Sequence, residues 1–226
     1  MQRIEKTYDE AKPLINEADV LLFRGGGLAS KIIGIASESP YTHVAVASWV
    51  NGRSNTPDGI LECVEFKEGS FIASFFNKSA GGGGRTVNLG QRVSEQSGKI
   101  DVYRPVPRAT KWVYNEENNT FDLHTTDLNP RQVTDTMRRM TGLPYGWRRI
   151  WWIAKHKLAA FRIFSDVDSL IVDDLEDLIY PVCSTTVAYA FNKSDYDLMN
   201  NRSDEWTEPG DVARSSRLSY LFTLTI

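Results

Sequence analysis

Cys183 opens the run Cys-Ser-Thr-Thr-Val-Ala-Tyr-Ala-Phe, in which small and hydroxyl residues begin an otherwise apolar segment. That composition reads as the first turn of a helix. A thiol used as a nucleophile must lose its proton near neutral pH, and a helix N-terminus together with a nearby imidazole favours that loss. The chain has three histidines to offer for the imidazole: His43, His124 and His156. His124 lies in the polar stretch Phe121-Asp-Leu-His-Thr-Thr and His156 between two lysines, so both read as solvated positions. His43 differs. It opens the apolar strand His43-Val-Ala-Val-Ala-Ser-Trp-Val directly after Ser39-Pro-Tyr-Thr, where a loop meets a core. Cys183 is therefore expected to be a nucleophile and His43 is the histidine best placed to be its base, although a histidine in an apolar strand, taken alone, reads as a satisfied core residue. The other cysteine, Cys63, alternates with apolar neighbours and has no helix terminus or basic residue beside it, which makes it a core residue. Two cysteines are too few for a disulfide framework, and both are expected as free thiols in a reducing compartment.

A pair so far apart in the chain must be brought together by the elements between. Residues 8–17 read as a short helix leading into the strand Asp19-Val-Leu-Leu-Phe, which stops at Arg24 and a triple glycine suited to a tight turn. A helix is expected over 28–37, ended by Ser39-Pro40. The His43 strand then pairs as a hairpin with Ile60-Leu-Glu-Cys-Val-Glu-Phe, because residues 51–58 are dense in turn formers. Short strands are expected at 86–89 and 100–104, and the polar stretch 115–129 reads as a loop. Pro130 suits the first position of a helix running to about Met140 and closed by Gly142. Residues 147–164 are aromatic and basic, 165–177 acidic, and both are helix-compatible. With 226 residues, 41% of them hydrophobic, and no repeat or second periodic core, the chain reads as a single domain over 1–226 with a helical elaboration at about 147–178.

Taken in order, Asp19-Val-Leu-Leu-Phe-Arg-Gly, Ser39-Pro-Tyr-Thr-His43-Val-Ala-Val, Leu61-Glu62, Gly142-Leu-Pro-Tyr145-Gly-Trp and Cys183-Ser-Thr-Thr-Val-Ala resemble the motifs of the permuted NlpC/P60 superfamily, in particular its YiiX-like branch. The order is the informative part: papain-like enzymes usually place the cysteine helix before the histidine strand, whereas here His43 comes first. Trp206-Thr-Glu-Pro-Gly-Asp211-Val-Ala is similar to the Pro-x-Asp segment that follows the cysteine helix in such proteins. The resemblance implies an α+β, circularly permuted papain-like fold, with a small, mainly antiparallel sheet packed against the helix bearing the cysteine. It implies a cysteine-dependent hydrolase or acyltransferase that forms an acyl-enzyme from an amide or ester. Peptides of the cell-wall type and lipid esters or amides are both substrate classes of that superfamily. The rival expectation is a binding module that keeps the fold without activity.

A third residue should orient the imidazole. The resemblance points to Glu62, the strand position after Leu61, and an acid on the face shared with Ile60, Val64 and Phe66 needs a partner. Simple hairpin geometry instead sets Glu65 opposite His43, so the two acids are alternatives, with Glu62 the preferred one. For the oxyanion of a tetrahedral intermediate, the Cys183 backbone N–H is the first donor expected, and Tyr145 or Arg24 is a candidate for a second donor or for holding substrate.

Other signals are weaker. Gly81-Gly-Gly-Gly-Arg85-Thr86 resembles a phosphate loop only in glycine content and is expected to be a mobile loop or lid. Residues 147–158 place Trp147, Ile150, Trp151, Ala154 and Leu158 on one helical face, with basic residues mostly outside it. That helix is expected to face the core, with membrane or envelope contact as its alternative. No cluster has metal-ligand spacing, and Cys/His chemistry needs no cofactor. A net charge of −3 gives no global attraction to nucleic acid or to an anionic membrane. With no signal peptide or spanning segment, the chain reads as cytoplasmic.

Overall fold

The computed structural model describes residues 3–25, 39–50, 59–69, 82–146, 182–199, 204 and 207–225. The helices expected over 28–37 and 147–178 lie outside the described residues, as does Trp206. The elements run β1 (Glu5–Thr7), α1 (Tyr8–Ala11), a 3-10 turn (Lys12–Leu14), β2 (Val20–Arg24), β3 (Tyr41–Trp49), β4 (Leu61–Glu68) and β5 (Gly82–Asn88). There follow α2 (Leu89–Ser94), β6 (Ile100–Pro105), β7 (Arg108–Asn115), β8 (Thr120–Asp127), α3 (Pro130–Arg139), α4 (Cys183–Asn192), α5 (Pro209–Arg214) and β9 (Leu218–Thr225).

The architecture is α+β with a mostly antiparallel sheet. Among the described residues seven strands lie in the order β1-β9-β6-β2-β3-β4-β5, and only β1 with β9 is parallel. Strand β3 is central and buried along all nine of its residues, which explains its nearly unbroken apolar sequence. One face packs Val20, Leu22, Val44, Val46, Val64 and Phe66 against α3 and α4 through Val133, Met137, Val187 and Phe191. The other face buries Leu21, Phe23, Ala45, Ala47, Leu61 and Cys63 against Leu89 and Val93 of α2. The alternation of side chains along each strand thus serves two cores at once. Among the described residues no helix is long and apolar enough to cross a membrane.

Helix α3 forms as the sequence predicts: Asn129 caps it by accepting the Gln132 N–H (3.2 Å), Pro130 occupies its first turn, and Gly142 follows its end with φ +89°. Three local expectations are corrected. Residues 8–17 make two short turns rather than one helix, because Pro13 cannot donate to a continuing α-helical ladder. The stretch 115–129 is no loop: β7 and β8 pair from Arg108↔Asp127 to Asn115↔Thr120. The second strand is mostly solvent-facing, so it carries none of the apolar alternation that would reveal it. Gly82, Gly83 and Gly84 form no lid but the first half of β5, paired with β4 from Glu68↔Gly82 onward. A Cβ at Gly83 would lie 2.3 Å from the Leu143 carbonyl oxygen and one at Gly84 2.5 Å from that of Met140. The glycines admit the chain at 140–145 onto the strand edge, where the Gly84 N–H donates to Leu143 (2.9 Å) and the Gly142 N–H to Gly84 (2.8 Å).

Candidate active site

Cys183 is the first residue of α4, and its surroundings are built by the hydroxyl residues that follow it. Val182 is extended, and its N–H donates to the Thr185 hydroxyl (3.2 Å), while the Thr186 hydroxyl donates to the Val182 carbonyl (2.6 Å). Ser184 donates to the Thr207 carbonyl (2.6 Å) and so ties the helix start to the segment entering α5. The thiol is buried, at the end of the helix where backbone N–H groups lack intrahelical acceptors.

His43 sits near the start of β3, immediately after an irregularity in the pairing with β2. Phe23 pairs with His43 but Arg24 pairs with Tyr41, so β3 carries one extra residue, Thr42. A bulge of this kind re-aims the side chain beside it. The imidazole is buried, with the Phe23 ring edge-on at 5.0 Å between centroids. Its Nε2 lies 2.8 Å from Glu65 Oε2. Cys183 lies close enough to bear on the protonation of the ring. With Nε2 on Glu65, Nδ1 is the nitrogen that remains for the sulfur. Burial alone would discourage protonation of the ring, but the charge and hydrogen bond of Cys183 and then those of Glu65 outweigh it and raise the pKa to about 10.

Glu65 is fully buried on β4, opposite Ala45 in register. Arg85 of β5 donates to Oε1 from Nε (2.8 Å) and Nη2 (2.5 Å), and Arg92 of α2 donates from Nε to both oxygens (3.1 and 3.0 Å). Burial favours the neutral acid, yet the hydrogen bond and charge of His43 and then the two guanidiniums hold this carboxyl well below the usual carboxylate range.

The preference for Glu62 is thereby corrected. Glu62 and Glu65 are three residues apart on one strand and so project from opposite faces. Glu62 faces α3 and accepts from Arg138 Nη2 (2.6 Å), whose same nitrogen donates to Ser48 Oγ (3.0 Å). The two remaining candidates are placed as follows. Tyr145 is buried in the same apolar cluster as Cys183, just after the bridge between Gly83 and Pro144. Arg24 ends β2 with its guanidinium on the fully buried Asp101 (2.7 Å), which also accepts from the Tyr41 hydroxyl (2.6 Å) and from Thr223 (2.5 Å). Arg3 shares that carboxylate (3.1 Å), and among the described residues Arg24 Nε is buried with no hydrogen-bond partner. Both cysteines are free, and Cys63 is a core residue whose thiol is pushed well up by burial and then by the charge of Glu65.

Arg85 and Arg92 were not singled out as site residues by the sequence. The signal available for Arg85 was the need of a buried strand acid for a cation across the ladder, since Glu65 pairs with Arg85 in register. Arg92 lies in Leu89-Gly-Gln-Arg-Val-Ser, where nothing in the spacing marks it as buried.

The fold defined by this sheet and its flanking helices is α+β and YiiX-like. It is similar to the crystal structure of the metalloprotein yiiX from Escherichia coli O157:H7, DUF1105, with a TM-score of 0.53 and 14% identity over 91% of this chain and 96% of that one. At that identity the likeness concerns the fold alone. No family model matches the chain, and no curated protein matches it.

Proposed function

We propose that this chain is a cysteine-dependent hydrolase or acyltransferase of papain-like, permuted NlpC/P60 type, in which Cys183 attacks an amide or ester carbonyl, His43 is its base and Glu65 orients His43. The observation that carries the reading is the arrangement around one imidazole: a buried carboxylate on Nε2 and, as its other partner, a cysteine at a helix start. The histidine strand preceding the cysteine helix in the chain fits the permuted order.

In this scheme the Cys183 proton passes to His43, and the sulfur adds to the carbonyl carbon. The oxyanion is met by the Cys183 backbone N–H, one of the helix-start donors without an intrahelical acceptor. His43 then returns the proton to the leaving amine or alcohol, leaving a thioester on Cys183. In the second half water or another acceptor gives its proton to His43 and attacks the thioester, and the thiol is restored as the proton returns to sulfur. Glu65 takes no proton and keeps Nε2 engaged throughout. Cell-wall-type peptides and lipid esters or amides are the substrate classes that the sequence resemblance suggests.

The structural neighbour is described as a metalloprotein, which raises a metal for this fold. Among the described residues no three His, Cys, Asp or Glu side chains gather to hold one. The carboxylate at the site is also occupied by two guanidiniums, whose charge opposes a cation. These residues do not fit a metal centre.

Activity-based profiling with an electrophilic peptide probe and an electrophilic lipid-ester probe tests the reading and separates the substrate classes. Adduct mass should map to Cys183 and not to Cys63, with the preferred probe naming the class. Absence of any Cys183 adduct from folded protein would support a binding module instead.

A further inference from the structure

The carboxylate behind His43 is shared between more partners than orientation requires. Glu65 spends one oxygen on His43 Nε2 (2.8 Å), but two guanidiniums compete for it, so one negative charge is opposed by two positive ones. Of the two, Arg85 leaves 35% of its side chain exposed and lies 3.9 Å from Glu95, where solvent and an acid soften its field. Arg92 is different: 6% of its side chain is exposed. Its guanidinium also lies 4.4 Å from the centre of the Phe23 ring, the same ring that stands edge-on to His43. Its Nη1 donates to Gln96 Oε1 (3.1 Å), and Gln96 Nε2 donates to the Arg24 carbonyl (3.2 Å), so the guanidinium is held from three sides. The groups that act on His43 are Glu65 of β4 and Cys183 of α4; Arg85 of β5 and Arg92 of α2 bear on Glu65, and Lys67 of β4 and Glu95, just after α2, lie beyond them. Lys67 is 40% exposed and, like Arg85, lies 3.9 Å from Glu95. Arg24 is neutralised on Asp101.

We propose that Arg92, with Arg85 as its more exposed companion, is a positioning residue of this site: it fixes the Glu65 carboxylate against His43 Nε2 and, through its charge, weakens that carboxylate's hold on the imidazole proton. The functional consequence rests on the Cys183–His43 reading above. A histidine that faces an unshared buried carboxylate keeps its proton too firmly to hand it to a leaving group, and a catalytic acid works best when its affinity for the proton is not far above the working pH. Two arginines on one carboxylate keep the carboxylate ionised and in place while moderating its pull.

The test follows the His43 Cε1–H resonance by NMR as pH is raised, with the resonance assigned by its loss in His43→Gln. It is run in Cys183→Ala, where the sulfur's charge is removed and the back of the ring is read alone. Arg92→Met in that background should raise the His43 midpoint by about one pH unit, the order expected for deleting a poorly screened charge on the far side of a shared carboxylate. Arg92→Lys, which keeps the charge but not the fork, should stay within about 0.3 unit of the parent. A midpoint unchanged or lowered in folded Arg92→Met overturns the proposal. So does a shift in Arg92→Lys as large as that in Arg92→Met, which is what loss of shape alone would give. If Arg92→Met does not fold, Arg85→Met decides: a smaller upward shift supports the proposal, and none overturns it. Because the titration needs no turnover, its failure is separate from that of the proposed activity, which the Cys183 adducts report.

Discussion

Cys183→Ser is expected to fold as the parent does and to lose at least about three orders of magnitude in turnover, because a hydroxyl is far less ionised than a thiol near neutral pH and His43 alone does not compensate. The measurement needs no knowledge of the natural substrate. With a p-nitrophenyl ester, the parent should release nitrophenolate in a burst of about one equivalent and show an acyl adduct by intact mass, the signature of a thioester intermediate. Cys183→Ala should show neither. Circular dichroism should show both variants folded, with a somewhat lowered urea midpoint because the Cys183 side chain is buried and bears on His43. Cys63→Ser supplies the contrast: a hydroxyl in the fully buried Cys63 position should lower stability by about 1–3 kcal/mol and leave the burst intact. A burst retained by Cys183→Ala would remove this cysteine from the chemistry.

Glu65→Ala should be the most destabilising of the site substitutions, by about 3–5 kcal/mol, because it leaves the buried Arg92 guanidinium without its carboxylate. Glu62→Ala breaks a partly exposed pair with Arg138 and should cost less than about 1 kcal/mol, with no effect on the burst. The same contrast has a pH signature. Glu65 is held well below its ordinary value in the folded state, so the stability it contributes is present above an unfolded carboxylate's pKa of about 4.5 and is lost as pH falls below that. His43 has the opposite sign. Its folded value is raised to about 10, so its contribution is complete below about 6.5 and is lost as pH rises toward 10. Urea midpoints of the parent should therefore decline at both ends of the range. Glu65→Gln should flatten the acid side, and a Glu65→Gln curve parallel to the parent's below about pH 4.5 would deny the ionised carboxylate its place in the fold.

Why the site was partly legible in sequence follows from the kinds of signal each residue gives. Cys183 and His43 sit where a pattern changes, a helix start rich in hydroxyls and a strand that begins abruptly after Pro40, and such boundaries are visible without a structure. The hairpin of β3 and β4 was also visible, since turn formers separate two β-rich runs. Glu62 and Glu65 could not be ranked from the resemblance, because motif position says nothing of register, and a shift of one residue moves an acid to the other face. Hairpin geometry pointed to the acid that contacts His43, although the observed register sets Glu65 opposite Ala45, leaving it diagonal to His43. The glycines of β5 misled for a related reason: glycine signals freedom locally, and only the approach of residues 140–145 shows that close packing is its use here. Arg92 was illegible because the burial of a charged helix residue depends on a partner from a strand distant in sequence.

If His43 activates Cys183, the rate of Cys183 alkylation by iodoacetamide against pH must depend on the imidazole. The parent and His43→Ala are compared under conditions in which both are folded, with the Cys183 adduct quantified by peptide mapping. The parent should alkylate rapidly down to about pH 6, whereas His43→Ala should react slowly near neutral pH and recover only as pH rises toward the ordinary thiol range of about 8.5, where the helix start alone must favour the thiolate. Two superimposable curves would contradict the account, leaving Cys183 a buried thiol beside a histidine that does nothing to it.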